Sequence, residues 1–108
     1  MTKRDYCQVW LSCADNDEAD KISHTLLERH LIACAKRFPV NSSYWWQKKI
    51  DNADETLLLM ETKESLFDEI EAEVAKLHSY DTFVLYATPL VELSKRAVEW
   101  MGEETHGG

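Results

Sequence analysis

The chain has 108 residues, of which 44% are hydrophobic and 30% are charged, and its formal net charge at pH 7 is −8. This length and composition predict a single globular domain, residues 1–108, with an ordered core over about residues 6–103. The acidic balance argues against nucleic acid or an anionic membrane as partner, because both require a basic face. No run approaches the ~20 apolar residues of a membrane span, and residues 1–5 do not lead into a signal peptide.

The cysteine count predicts a reduced protein. Three cysteines, Cys7, Cys13 and Cys34, are an odd number and lack the spacing of a zinc knuckle. Free thiols are the default in a reducing compartment, so we expect a cytoplasmic protein.

The first elements are a strand and a helix. Alternation over residues 7–14 predicts a strand, with Trp10 on the face opposite to the core. Its core face carries Cys7, Val9, Leu11 and Cys13. Asp15 followed by Glu18 has the spacing of a capping box, which predicts a helix start. The apolar stripe that follows predicts a helix end near His30 or Leu31.

A long β-hairpin follows. Residues 31–50 and 56–60 are two extended runs, and the polar residues 51–54 between them predict the turn. Pro39 cannot donate a ladder hydrogen bond and therefore marks an edge position, a bend or a bulge. The successive aromatics Tyr44-Trp45-Trp46 must alternate between faces, so both faces of the hairpin carry apolar surface.

The second half of the chain predicts a second helix, a fourth strand and a third helix. Residues 62–65 predict a second helix start, with Ser65 and Asp68 near capping-box spacing, and residues 82–87 predict a fourth strand that Pro89 ends. A third helix follows with the stripe Leu93, Ala97, Trp100 and Met101. The order βαββαβ with a C-terminal helix predicts an α+β, ferredoxin-like fold with an antiparallel sheet.

The sheet has more apolar surface than two helices can cover. Trp10, the apolar run at residues 57–60 and the aromatic run at residues 44–46 cannot all lie beneath them. We therefore expect the other face to pack against further copies of the chain. Burying ~400 Å² of apolar surface there would contribute ~10 kcal/mol before the cost of association.

Several short motifs together resemble the CutA family of divalent-cation tolerance proteins. They are Ala33-Cys34-Ala35, Tyr44-Trp45-Trp46, Glu61-Thr62-Lys63, Leu77-His78-Ser79-Tyr80 and Glu99-Trp100. The resemblance covers about residues 7–100. It implies a ferredoxin-like fold, a homotrimer similar to the PII signalling proteins, and an association with tolerance to copper and other divalent cations. It implies no defined catalytic activity.

The resemblance also suggests metal ligands. In some bacterial members, the proposed copper ligands are a cysteine near the end of strand one and two adjacent histidines after helix two. Here Ser12 matches the cysteine position, Cys13 stands one residue later, Leu77 replaces the first histidine and His78 matches the second. We expect His78, with Cys13 or Cys34, to bind copper or another divalent cation weakly. The alternative is a core cysteine and a helix-capping histidine, since a shift of one residue along a strand changes the face.

A second candidate site is a cleft or interface between subunits. The predicted residues are Trp10, Tyr44, Trp45, Trp46, Glu61, Lys63 and Tyr80. Aromatic walls with a lysine suit a small anion or metabolite, which would make the protein a PII-like regulatory module that signals to an unknown protein partner. The alternative is a packed interface without a ligand, in a purely structural trimer.

No motif predicts an enzyme. Acylphosphatases share this fold class and use an arginine-bearing phosphate loop after strand one, but residues 14–17 here are acidic. The chain also lacks a glycine-rich phosphate loop and a recognisable Ser/His/Asp arrangement. We expect no catalysis.

Overall fold

The computed structural model describes residues 5–107, which form four strands and three α-helices. The elements are β1 (Tyr6–Cys13), α1 (Asn16–Glu28), β2 (Cys34–Trp46), β3 (Lys49–Lys63), a 3-10 turn (Glu64–Leu66), α2 (Phe67–Leu77), β4 (Leu85–Pro89) and α3 (Lys95–Glu104). The strands pair antiparallel in the order β2-β3-β1-β4, which confirms the predicted ferredoxin-like α+β fold. None of the helices within residues 5–107 combines the length and the apolar character needed to cross a bilayer.

The core lies between one face of the sheet and the helices α1 and α2. Register pairs Val9 with Met60 and Leu11 with Leu58, so these four side chains share one face, and all are fully buried. Cys7 and Cys13 lie on the same face and are also buried, as the alternation predicted. The helices contribute Ala19, Ile22, Leu26, Ile70 and Val74.

The predicted start of α1 is confirmed. Asp15 caps the helix, with its Oδ1 accepting a hydrogen bond from the Glu18 N–H at 2.9 Å, while Glu18 Oε1 accepts from the Ala14 N–H at 2.9 Å. The helix ends at Glu28, two residues before the expected position, because His30 has a left-handed φ of 57° that stops the helix.

The turn of the hairpin lies nearer to the aromatic residues than the sequence predicted. Gln47 and Lys48 form a two-residue turn with φ of 49° and 64°, whereas residues 51–54 belong to β3. Two left-handed turn residues match the twist of the flanking strands, so the short turn extends the ladder. The prediction of a turn at residues 51–54 is wrong because their polarity reflects exposure, and side-chain hydrogen bonds such as Asn41 Nδ2 to Asp54 Oδ1 join the two strands.

Two other predicted boundaries also differ. Strand β3 continues to Lys63 and a 3-10 turn precedes α2, so Ser65 makes no capping hydrogen bond. Strand β4 runs over Leu85–Pro89 instead of residues 82–87. It pairs with β1, with Leu85 opposite Leu11 and Pro89 opposite Cys7. Pro89 is accommodated because β4 is an edge strand.

The hairpin arm, the paired residues 40–46 and 49–55 with the turn between them, gives the molecule an elongated shape. The principal extents are 45 × 25 × 21 Å, and the radius of gyration is 14.4 Å. A compact chain of this length has a radius of gyration of about 13 Å. The arm carries the most exposed aromatic residue, Trp45 at 73%, directly opposite Ile50 at 65%. Apolar surface is therefore presented where no other part of the chain within residues 5–107 covers it.

Candidate metal site and open sheet face

Three possible metal ligands meet at the end of β1. Cys13 ends that strand, Glu18 lies in the first turn of α1, and His78 caps the C-terminus of α2. One ligand atom from each lies within 4.8 Å of the others, the only such group of three found among residues 5–107. Of the candidates from the sequence, the fold brings together His78 and Cys13 and adds Glu18, whereas Cys34 is not part of this group. The sequence signal for Glu18 was its capping position, which ties its carboxylate to the end of β1.

The ring of His78 is fixed through both nitrogens. Its side chain is fully buried, with Nε2 2.8 Å from the Ser12 carbonyl oxygen and Nδ1 3.1 Å from the Tyr80 amide nitrogen. A carbonyl can only accept and an amide N–H can only donate, so Nε2 carries the proton and Nδ1 the free lone pair. The ring also packs against Tyr80 and Phe83, with centroid distances of 4.9 and 5.4 Å.

Glu18 places a negative charge beside this ring. Its Oε1 lies 3.7 Å from His78 Nε2, and its Oε2 accepts a 2.7 Å hydrogen bond from the Ser79 N–H. Burial acts to raise the pKa of Glu18, but the hydrogen bonds from Ala14 and Ser79 outweigh it and hold that pKa below its ordinary value. The group is therefore ionised at neutral pH and can serve as an oxygen ligand.

The thiol of Cys13, unlike the carboxyl group of Glu18, is held in its protonated form. Burial, followed by the charges of Glu18, Glu55 and Asp15, raises the pKa of Cys13 to about 12. A thiol is a metal ligand only as the thiolate, so a metal ion must displace this proton.

The three thiols are expected to differ strongly in reactivity towards Ellman's reagent. Burial raises the pKa of Cys7 to about 11, whereas Cys34 is partly exposed and lies 3.6 Å from the Lys36 ammonium. In the native protein at pH 7.5, Cys13 should react about a thousandfold more slowly than an exposed thiol, because so little thiolate is present. Urea should equalise the rates, and Cys34→Ser should remove the fast phase. Rapid native modification of Cys13 would contradict its burial.

Tyr80 links this region to the hairpin. Its hydroxyl donates a hydrogen bond to Glu55 Oε2 at 3.0 Å. Glu55 lies where β3 pairs with β2 and is 8% exposed. Burial, then the Glu55 carboxylate, raises the pKa of Tyr80 to about 12. Partial burial, followed by the negative charges of Asp51 and Glu55, also raises the pKa of Tyr44. The Glu55 carboxylate therefore acts on both tyrosines.

Lys63 has a structural environment that the sequence did not reveal. The residue is 2% exposed, and its ammonium donates to carbonyl oxygens in the last turn of α3 and just after it. The acceptors are Gly102 at 3.3 Å, Thr105 at 3.0 Å, His106 at 3.1 Å and Gly107. A cation surrounded by carbonyls at a helix C-terminus is stabilised by the helix dipole. Within one chain, Lys63 therefore anchors the C-terminal segment.

The other predicted cleft residues are spread along the sheet. Trp10 donates to Thr88 Oγ1 at 3.0 Å, and Glu61 pairs with Lys36 at 3.2 Å. The strand partner of Tyr44 is twelve residues before Lys63 on β3, which corresponds to about 40 Å along a strand. A single chain therefore does not bring all seven residues into one pocket.

Comparison with known proteins decides the family. The profile of the family described as CutA1 divalent ion tolerance protein matches residues 7–104. The chain belongs to the CutA1 family.

Individual CutA relatives match over nearly their whole length. The divalent-cation tolerance protein CutA of Archaeoglobus fulgidus is 34% identical, with 88% of this chain and 93% of the relative covered. The Pyrococcus horikoshii protein of the same name is 31% identical, with 90% and 95% covered. The relatives are named for tolerance to divalent cations rather than for a reaction.

Solved CutA structures confirm the fold. The A. fulgidus structure, described as a periplasmic divalent cation tolerance protein, has a TM-score of 0.90 at 32% identity and covers 92% of this chain and 97% of its own. CutA1 from Oryza sativa has a TM-score of 0.92 at 26% identity, with 95% of each chain covered. The metal-tolerance role suggested by the sequence resemblance is therefore supported by the names of the relatives.

Proposed function

We propose that this CutA1 protein is a non-catalytic homotrimer that contributes to divalent-metal tolerance, and that Cys13, Glu18 and His78 bind copper weakly. The observation that carries the metal proposal is the convergence of one sulfur, one oxygen and one nitrogen ligand within 4.8 Å. Imidazole and thiolate suit copper, and a carboxylate adds charge compensation for a divalent ion.

The same geometry explains why the binding is weak. A metal ion at this site competes with the proton of a thiol whose pKa is about 12 and with the hydrogen bond from His78 Nε2 to Ser12. Affinity should therefore increase with pH, because each displaced proton is released more easily. The Ser12 carbonyl oxygen, 2.8 Å from His78 Nε2, is positioned as a further oxygen ligand for the metal ion.

Replacing His78 with alanine tests this site directly. We expect the affinity for copper to fall about tenfold or more, because the imidazole is the strongest neutral ligand of the group. Isothermal titration with Cu²⁺ and competition with a Cu(I) chelator measure the loss. His24→Ala is the matched control, since His24 is exposed and pairs with Glu28 on α1. Unchanged copper affinity in His78→Ala would remove the proposed site.

The trimer is supported by the apolar surface that a single chain leaves uncovered. Large exposed hydrophobic side chains lie on the hairpin arm and on the β4 side of the sheet. Strands β2 and β4 form the two edges of the four-stranded sheet, where a further strand can pair. Covering such a surface with copies of the same chain also brings residues from the two ends of the sheet together. Native mass spectrometry with and without copper measures the subunit count and the metal stoichiometry in one experiment.

The PII-like alternative is favoured by one feature. Tyr44, Glu55 and Tyr80 form a partly exposed polar group beside the aromatic arm, which is a suitable wall for a small ligand between subunits. Thermal shifts separate the candidates: stabilisation by copper but not by nucleotides supports the metal role, and the reverse supports the regulatory role. No response to either supports a structural trimer.

We further propose a cytoplasmic location. The support is the set of free thiols, including the partly exposed Cys34. The periplasmic description of the A. fulgidus relative makes this a necessary test. Fractionation of the native host followed by immunoblotting should place the protein with cytoplasmic markers, and recovery with periplasmic markers would overturn the proposal.

A further inference from the structure

We propose that metal binding at His78 reverses the tautomer of its imidazole and thereby releases Tyr80 from the ring, so that metal occupancy is communicated to the base of the hairpin. This inference rests on the proposed metal site. It is carried by an independent feature, the opposite hydrogen-bonding roles of the two ring nitrogens.

Without metal, one tautomer satisfies both contacts. Nε2 carries the proton and donates to the Ser12 carbonyl at 2.8 Å, and Nδ1 accepts from the Tyr80 N–H at 3.1 Å. The ring is fully buried, so no water replaces either partner. Any other protonation pattern would leave a donor facing a donor or an acceptor facing an acceptor.

A metal ion reverses these roles. Nε2 is the nitrogen that faces Glu18, 3.7 Å from Oε1, so it is the atom that can share an ion with Glu18 and Cys13. Its lone pair can bind the ion only after its proton leaves for solvent. The ring gains one proton from solvent at Nδ1 as it loses the one at Nε2, so it stays neutral and the imidazole has no net change in proton number. Nδ1–H now faces the N–H of Tyr80, and two donors at about 3 Å repel each other.

Tyr80 is the connection to the hairpin. Its hydroxyl donates to Glu55 Oε2 at 3.0 Å, and Glu55 is opposite Val40 in the β2–β3 ladder. The preceding Ser79 N–H is bound to Glu18 Oε2 at 2.7 Å, so a second ligand of the proposed site holds the same segment. A metal ion therefore alters both backbone contacts that position residues 79 and 80. The expected result is a weaker contact between Tyr80 and Glu55 in the metal-bound protein.

The tautomer can be observed directly. Zn²⁺ is the probe, because it accepts sulfur, nitrogen and oxygen ligands without redox chemistry. Long-range ¹H–¹⁵N correlation spectra of the full-length protein should show His78 protonated at Nε2 without Zn²⁺ and at Nδ1 with it. The Tyr80 amide should shift and exchange faster with solvent. Exposed His24, in the same spectra, should keep its tautomer equilibrium.

The outcomes separate this inference from the proposed function. Calorimetric Zn²⁺ binding that His78→Ala abolishes, with an unchanged His78 tautomer, would overturn the coupling and leave the metal site intact. Such a result would place the ion on Nδ1 of His78. An absence of Zn²⁺ binding would overturn the coupling, whereas the proposed copper site is tested separately by the Cu²⁺ titration of His78→Ala.

Tyr80→Phe tests the transmission to the hairpin. The variant keeps the amide N–H but loses the hydroxyl that holds Tyr80 on Glu55, so the segment yields to the metal more easily. We expect Zn²⁺ to bind about fivefold more tightly, the scale of one hydrogen bond. Tyr86→Phe is the control, because Tyr86 packs on Trp10 away from the site. Equal affinities in Tyr80→Phe and the wild type would overturn the link to Glu55.

Discussion

Replacing both Trp45 and Ile50 with serine is expected to convert the proposed trimer into folded single chains. The two side chains are directly opposite each other on the hairpin arm, and within one chain they are 73% and 65% exposed. Their loss therefore removes little from the chain's own core. In an assembly, about 300 Å² of buried apolar area per chain would contribute about 7 kcal/mol before the cost of association. Sedimentation velocity measures the mass, and far-ultraviolet circular dichroism measures the fold.

The control for this experiment is Leu27→Ser. Leu27 lies on α1, which covers one face of the sheet, and therefore lies away from the face that the helices leave uncovered. It is also partly exposed at 37%. This variant should keep the mass of the wild type. A wild-type protein that sediments as a single chain at low concentration, with Trp45 protected from acrylamide quenching, would refute the assembly.

Lys63→Met should produce the largest loss of stability among single substitutions of charged residues. Methionine keeps an unbranched side chain of similar bulk but removes the ammonium that donates to the carbonyl oxygens of residues 102, 105, 106 and 107. We expect the free energy of unfolding to fall by about 3 kcal/mol, from the loss of a charged hydrogen-bonding group in a buried position. Urea denaturation at a fixed protein concentration measures the change, since an oligomer's stability depends on concentration.

Lys36→Met is the matched control on the neighbouring strand. The Lys36 ammonium contacts Glu61 at 3.2 Å, and its side chain is largely exposed. An exposed ion pair contributes about 0.5 kcal/mol, so this variant should remain close to the wild type. Similar losses in the two variants would show that the carbonyl contacts of Lys63 are not stabilising.

The locally encoded parts of the fold were predictable. The alternation in β1 identified its buried face, and the Asp15 and Glu18 pair identified the start of α1, because both signals depend on residues close in sequence. The hairpin turn was misplaced because polarity at residues 51–54 has two causes, a turn or an exposed strand. Only pairing with β2, including Tyr44 opposite Asp51, distinguishes them.

The site was predictable in part. His78 and Cys13 came from the family resemblance, and the structure brings their ligand atoms together. The third possible ligand, Glu18, was assigned only a capping role. A carboxylate that caps a helix can also face a distant histidine, but the approach of α2 to the end of β1 depends on core packing. Sequence spacing gives no measure of that distance, since positions 18 and 78 are far apart in the chain.

By itself, the sequence determined the order of the elements, the core face of β1 and the excess of apolar surface on the hairpin, because side-chain periodicity and turn chemistry act over a few residues. The tertiary structure alone decided the hairpin register, the burial of Lys63 among carbonyls and the convergence of Glu18 with Cys13 and His78. These features depend on which distant segments pack together, and that choice comes from the burial of the whole core rather than from any single stretch of the chain.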